Sequence, residues 1–175
     1  MELKELLDKA FTKTVKDFLE ATAKKTDIDK EKLEKALIAF LLLEFENQLK
    51  NGNTPIGFSI VGKGVSATSF FAPGGFILKA IINRAIDNFQ IPARYMDKEA
   101  LNKLKGEERE ALEFFFKAVD GIIVYTVEED VVFINNREKE EKILAVYMTA
   151  WGELAKQFLP LPISIPPLFP KPNQN

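Results

Sequence analysis

The chain reads as an α+β protein, mostly helical, with a small antiparallel sheet. Three observations lead there. Long stretches repeat apolar residues at three- and four-residue spacing, the period of an amphipathic helix. Two pairs of short β-branched and aromatic runs are each joined by a tight turn, the pattern of a hairpin. Helical and hairpin stretches are interspersed along the chain, which suggests helices laid over a small sheet. With 175 residues, 46% hydrophobic content and 15 Phe, there is material for one core that buries roughly 70% of the unfolded surface. The expected organisation is one globular domain over residues 1–158 and a Pro-rich apolar tail over 159–175.

Residues 2–23 carry Leu3, Leu7, Phe11, Val15 and Phe18 near i/i+4 spacing, with Lys and Glu on the other side, and predict an amphipathic helix. A polar link, Lys24–Asp27, leads to a second helix capped by Asp27 or Asp29. That helix runs to about Lys50 and stops at Asn51-Gly52, a left-handed C-terminal cap. Its middle, Ala36–Leu43, is apolar all round, so it runs through the core. The two make an N-terminal αα-hairpin.

Ile56–Val61 and Val65–Phe71 flank Gly62-Lys63-Gly64 and read as the first β-hairpin. Ala72-Pro73-Gly74-Gly75 turns the chain into a helix from Phe76 to Phe89. Its expected core stripe is Leu78, Ile82, Ala85, Ile86 and Phe89, with Lys79, Asn83, Asp87 and Gln90 in water. Ile91-Pro92 ends it, and Asp97 caps a short helix to Lys105. Glu107–Val119 is helical with Leu112, Phe115, Phe116 and Val119 inward. Gly121–Val127 and Val131–Ile134, joined by Glu128-Glu129-Asp130, form the second hairpin. Residues 137–158 give a last helix whose stripe is Ile143, Tyr147, Trp151, Leu154 and Phe158.

The chain has no histidine and no cysteine. That removes the Ser-His-Asp and Cys-His relays, the usual Zn, haem and Fe–S ligands, and disulfides. No cofactor and no metal is expected. Chemistry from carboxylates, Lys, Tyr and hydroxyls remains, and no strong motif arranges it. Lysine outnumbers arginine 20 to 4 and Glu outnumbers Asp 18 to 8. Lys/Glu richness suits a thermophile, and an AT-rich genome gives the same Lys bias. The charged N-terminus lacks an apolar signal region, and the longest apolar run, Ala36–Leu43, is far short of the roughly 20 residues that span a bilayer. A cytoplasmic protein with no membrane partner is expected.

Gly57-Phe58-Ser59-Ile60-Val61-Gly62-Lys63-Gly64 resembles the phosphate loop GxxxxGK[ST]. Gly64 stands where the Mg²⁺-binding hydroxyl belongs, and no helix begins at Lys63, so the hairpin accounts for the same residues better. The middle third, 51–105, holds seven basic and three acidic residues. Lys63, Lys79, Arg84, Arg94, Lys98, Lys103 and Lys105 form a candidate nonspecific nucleic-acid surface, with Tyr95, Phe70 or Phe71 able to stack on bases. The shortage of arginine speaks against sequence-specific readout.

Among the acids, Asp120 and the Glu128–Asp130 turn lie at opposite ends of one strand, roughly 25 Å apart, too far to share a metal. Glu128-Glu129-Asp130 reads as an ordinary solvated turn. Glu140-Glu141-Lys142, half of a nuclease motif, falls on a helix rather than the strand that motif needs. Glu44 falls between Leu33, Leu37 and Phe40 on a helical wheel, the place for a semi-buried acid with a raised pKa. Asn47, Gln48 and Asn51 on the same side favour a stripe that rotates and leaves it in water.

The tail Leu159–Pro170 interleaves proline with large apolar residues, a preorganised segment suited to docking. Leu161, Ile163, Ile165, Leu168 and Phe169 are the candidate contact residues, on the protein's own surface or on a neighbour. The functional expectation is a non-enzymatic interaction protein that self-associates, a homo-oligomer, with nonspecific nucleic-acid contact through its basic middle third. A Mg²⁺-dependent phosphoryl-transfer or phosphodiester-cleaving enzyme using Asp/Glu and Lys is the alternative, and needs carboxylates converging within about 4–6 Å. A binder of a small apolar ligand in a Phe-lined pocket is the third.

Overall fold

In the computed structural model the described residues are 2–87, 91, 93–96 and 98–158. Five strands form one sheet: β1 (Pro55–Gly62), β2 (Val65–Phe70), β3 (Ala93–Tyr95), β4 (Gly121–Thr126) and β5 (Val131–Ile134). Their order is β2-β1-β4-β5-β3. All neighbours are antiparallel except β3, which lies parallel to β5. Helices cover both faces. One face carries α1 (Leu3–Ala10), α2 (Lys13–Thr26), α3 (Lys30–Lys50) and α6 (Glu107–Ala118), with the short α5 (Lys98–Asn102) beside α6. The other carries α4 (Gly74–Ile86) and α7 (Glu140–Phe158), which follows a single 3-10 turn at Arg137–Lys139.

The alternation of strand side chains divides the core in two. Phe58, Ile60, Ile122, Val124, Val131 and Phe133 pack against the α1–α3 and α6 layer. Val61, Ile123, Tyr125, Val132 and Ile134 pack against α4 and α7. Ile56 breaks the alternation and joins the second set. The register shift between Pro55 and Gly57 is the cause, because one irregular residue turns its neighbour over.

The α+β expectation holds, with both hairpins and the αα-hairpin in place. The two hairpins pair through β1 and β4. At the tip of the first, Lys63 (φ 41°) and Gly64 (φ 88°) both take left-handed conformations, as a two-residue turn requires.

Three elements differ from expectation. Residues 2–23 are two helices, not one. Thr12 breaks the helix, its hydroxyl accepting from the Val15 amide at 3.3 Å and so starting α2. The apolar period continues across the break because both pieces face α3. Asp29, not Asp27, caps α3, while Asp27 closes α2 in a left-handed conformation (φ 55°). Second, the three-residue β3 has no counterpart among the expected elements. It is too short to show a period, and its pairing partner is some 40 positions away in sequence.

Third, the buried stripe of α4 is Ile77, Ala80, Ile81 and Arg84, not the expected Leu78, Ile82, Ala85 and Ile86. Ile82 is 48% exposed and Ile86 70%. The helix is apolar on both sides, and the sheet takes the side that brings Arg84 to a buried carboxylate. The expected Phe89 and Gln90, the Asp97 cap and the whole tail lie outside the described residues.

Candidate functional site

The strongest polar cluster is buried between the sheet and the α4–α7 layer. Asp130 and Arg84 are each 2% exposed. Arg84 Nε donates to Asp130 Oδ2 at 2.7 Å and Nη2 donates to Oδ1 at 2.5 Å, a two-pronged pair. The remaining guanidinium hydrogens go to the carbonyls of Thr126, Val127 and Glu128. Asp130 also accepts from the Tyr147 hydroxyl (2.9 Å), Trp151 Nε1 (3.0 Å) and the Thr126 amide (3.0 Å). Burial works against the Arg84 charge, but the hydrogen bond and charge of Asp130 outweigh it and hold its pKa above the ordinary value. Burial first, then the Asp130 charge, pushes the Tyr147 phenol far up. Every oxygen of the carboxylate is occupied, so this cluster ties the second hairpin to α4 and α7.

The Glu128–Asp130 turn is therefore not a solvated turn throughout. Asp130 points in. Glu128 stays outside and accepts from the Thr54 amide at 2.7 Å, and Glu129 accepts from Asn53 Nδ2 at 3.1 Å. Glu44 likewise departs from the wet reading. It is buried, and accepts from Gln48 Nε2 at 2.8 Å. Desolvation raises its pKa, with Gln48, the Arg94 charge and Asn47 pulling the other way.

Beside the buried cluster a cleft of about 490 Å³ opens between β2 and α7. Ser66, Thr68 and Phe70 line one wall, and Val146, Ala150 and Leu154 the other, with Thr149, Glu153 and Gln157 at the rim. Thr68 leads inward through a hydroxyl chain: Thr68 Oγ1 to Ser59 Oγ at 2.7 Å, and Ser59 Oγ to Tyr125 OH at 2.6 Å. Burial raises the Tyr125 pKa far above its usual value, Ser59 offsetting part of it. Phe70 stacks on Tyr125 at 4.7 Å between centroids. The lining mixes apolar contact with hydroxyl hydrogen bonding, which suits binding. Its ionisable lining residue, Glu153, sits at the rim and pairs with Lys156.

The basic candidates are divided by the fold. Lys63 sits at the β1–β2 turn, near one edge of the sheet, where its amide donates to Asp120. Arg94 and Tyr95 are on β3 at the opposite edge. Lys79 is exposed on α4, while Lys103 and Lys105 are exposed after α5, across the sheet. Lys98 opens α5, and its side chain lies outside the described residues. Arg84 is withdrawn from any phosphate by the pairing above. Tyr95 is half-buried, with the Arg137 guanidinium 4.6 Å over its ring, so its face is already covered. Desolvation and Glu140 raise its pKa, Arg137 opposing. Phe70 and Phe71 pack inward. Leu161, Ile163, Ile165, Leu168 and Phe169 lie outside the described residues. Among the described residues no three acidic side chains gather as a metal site; Asp120 is held by Lys142 at 3.2 Å. Nor is any described helix long and apolar enough to cross a membrane.

Comparison with protein families, curated proteins and solved structures finds no match to this chain.

Sequence reasoning missed the Arg84–Asp130 pair, though part of its signal was present. Tyr147 and Trp151 share one predicted buried stripe, and each carries a polar hydrogen that needs an acceptor once buried. Arg84 completes the i, i+3, i+4, i+7 series with Ile77, Ala80 and Ile81. The cleft had no local signal, since its walls come from segments some 80 residues apart.

Proposed function

We propose that this is a non-enzymatic interaction protein that self-associates through the outer face of its α4–α7 layer. The observation that carries the reading is α4 itself. From Gly74 to Ile86 its only charged residues are Lys79 and Arg84, and Arg84 is inside. The sheet covers only one side of this apolar helix, and Phe76, Ile82 and Ile86 are exposed, as is Met148 on neighbouring α7. An apolar surface of this kind on a soluble domain marks a contact site. A second copy is the occupant that the charge pattern supports. On α4 itself that face carries Lys79 as its one charge, and a two-fold axis can set each Lys79 away from its mate while the apolar side chains meet.

The full chain is expected to sediment as a dimer or larger, and Ile82→Glu/Ile86→Glu as a monomer with unchanged circular dichroism, because both side chains are exposed in the single chain. A wild-type chain that stays monomeric at every concentration, or a double variant that still associates, removes the proposal. Nucleic-acid contact does not enter it, since the basic residues are split between two edges and two faces.

A further inference from the structure

We propose that the cleft between β2 and α7 binds a small uncharged molecule with an aromatic body and a carbonyl oxygen, the oxygen accepting from the Thr68 hydroxyl. The inference is independent of the α4 face, since it uses the side of α7 turned toward β2. Strand alternation sets one wall. Ala67 packs toward the α1–α3 layer, so Ser66, Thr68 and Phe70, at the other parity, face α7 and line the cleft. Val146, Ala150 and Leu154, at four-residue spacing on α7, make the facing apolar ridge. The volume of about 490 Å³ suits a small-molecule site, which sets apolar walls around a few placed polar groups.

The hydroxyl chain beneath the cleft has a direction. Tyr125 is fully buried, and among the described residues its hydroxyl bonds only to Ser59 Oγ, at 2.6 Å. A buried phenol hydrogen without an acceptor is costly, so Tyr125 donates to Ser59. Ser59 has one hydrogen and gives it to Thr68 Oγ1 at 2.7 Å. The Thr68 hydrogen is then left over, on a half-buried residue that lines the cleft. Successive hydroxyls polarise one another, which strengthens the last donor. Burial keeps the Tyr125 phenol protonated, so the order holds through neutral pH. A carbonyl oxygen, an acceptor with no hydrogen of its own, is the partner such a donor calls for.

Phe70 supplies a prearranged aromatic surface. Gly57 stands between Phe70 and Tyr125 in the sheet, and with no side chain it lets the two rings close over it at 4.7 Å. A Cβ at Gly57 would come within 2.8 Å of the Phe70 ring. Trp151 meets Phe70 edge to face at 5.8 Å. Phe70 is thus held before anything binds, which lowers the entropy lost on binding. It lines the cleft with the part of its ring those two leave, where a second ring can pack. Charge has no place in the cleft. Among the described residues that line it there is no cation to meet an anion, and the acid Glu153 is at the rim with Lys156 at 3.4 Å. A charge at the Thr68 end would be desolvated without a partner.

The test is NMR titration of the full-length chain with acetophenone, with ethylbenzene, which lacks the oxygen, and with benzoate, which carries a charge. Acetophenone should produce saturable shifts at the Thr68, Phe70, Val146 and Ala150 amides, and benzoate none. Thr68→Val should weaken acetophenone by about threefold to tenfold, the worth of one hydrogen bond, and leave ethylbenzene unchanged. Thr68→Ser, which keeps the hydroxyl, should retain wild-type affinity. Ala150→Leu, which narrows the cleft and suits a helix, should abolish the shifts with unchanged circular dichroism. Absence of saturable shifts overturns the proposal, as do shifts centred on Phe76, Ile82 and Ile86. Equal weakening of both neutral probes by Thr68→Val, or benzoate binding as tightly as acetophenone, overturns it as well.

Discussion

Asp130 shows how a residue in a turn becomes the centre of a core. It accepts from Arg84, Tyr147, Trp151 and the Thr126 amide while 2% exposed. Removing the carboxylate leaves a guanidinium buried without its counter-charge, and a broken buried pair costs about 3–5 kcal/mol. Asp130→Ala should lower stability by that amount in urea titration; a loss under about 1 kcal/mol would mean water reaches Arg84. Glu44 is the opposite case, an acid whose burial raises its pKa above that of an ordinary glutamate. The folded chain then holds the proton to higher pH than the unfolded one, so this side chain's contribution to stability falls as pH rises from the ordinary glutamate pKa through the raised folded value. Glu44→Gln, which keeps an acceptor for Gln48, should flatten that slope and stabilise the protein at neutral pH. An unchanged pH–stability curve would show that Glu44 is well solvated.

At the scale of elements, the sheet depends on close backbone approach at two glycines. A Cβ at Gly57 would meet the Ser69 carbonyl at 2.4 Å, and one at Gly121 would meet the Phe133 carbonyl at 2.7 Å. Gly75, in the first turn of α4, has open space around it. Gly57→Ala should destabilise by about 1–3 kcal/mol through overpacking. Gly75→Ala should be neutral or stabilise by up to about 1 kcal/mol through helix propensity. Thermal melts of the pair distinguish packing from backbone entropy, and equal effects would refute the assignment. The elements themselves were largely legible. Both hairpins, the long α3 and the stripe Ile143, Tyr147, Trp151, Leu154 carry their periods in adjacent residues. The break at Thr12 was not legible, because the apolar spacing runs on through it.

For the whole molecule, the proposed self-association through the α4 face predicts a melting temperature that rises with protein concentration, since association would stabilise the folded form by mass action. Ile82→Glu/Ile86→Glu should abolish that dependence, and a concentration-independent wild-type melt would count against self-association. The fold leaves this face open because α4 has two apolar sides and one sheet.

The amino-acid sequence by itself determined the fold class, the position of most helices and both hairpins, and the absence of imidazole and thiol chemistry. Each of these follows from composition or from residues a few positions apart, where period and turn chemistry act directly. Only the tertiary structure decided which side of α4 is buried, where Asp130 and Glu44 point, that β3 closes the sheet, and that β2 and α7 enclose a cleft. Those outcomes depend on groups far apart in the chain. A buried charge goes where its partners are, and the chain order does not say where that is.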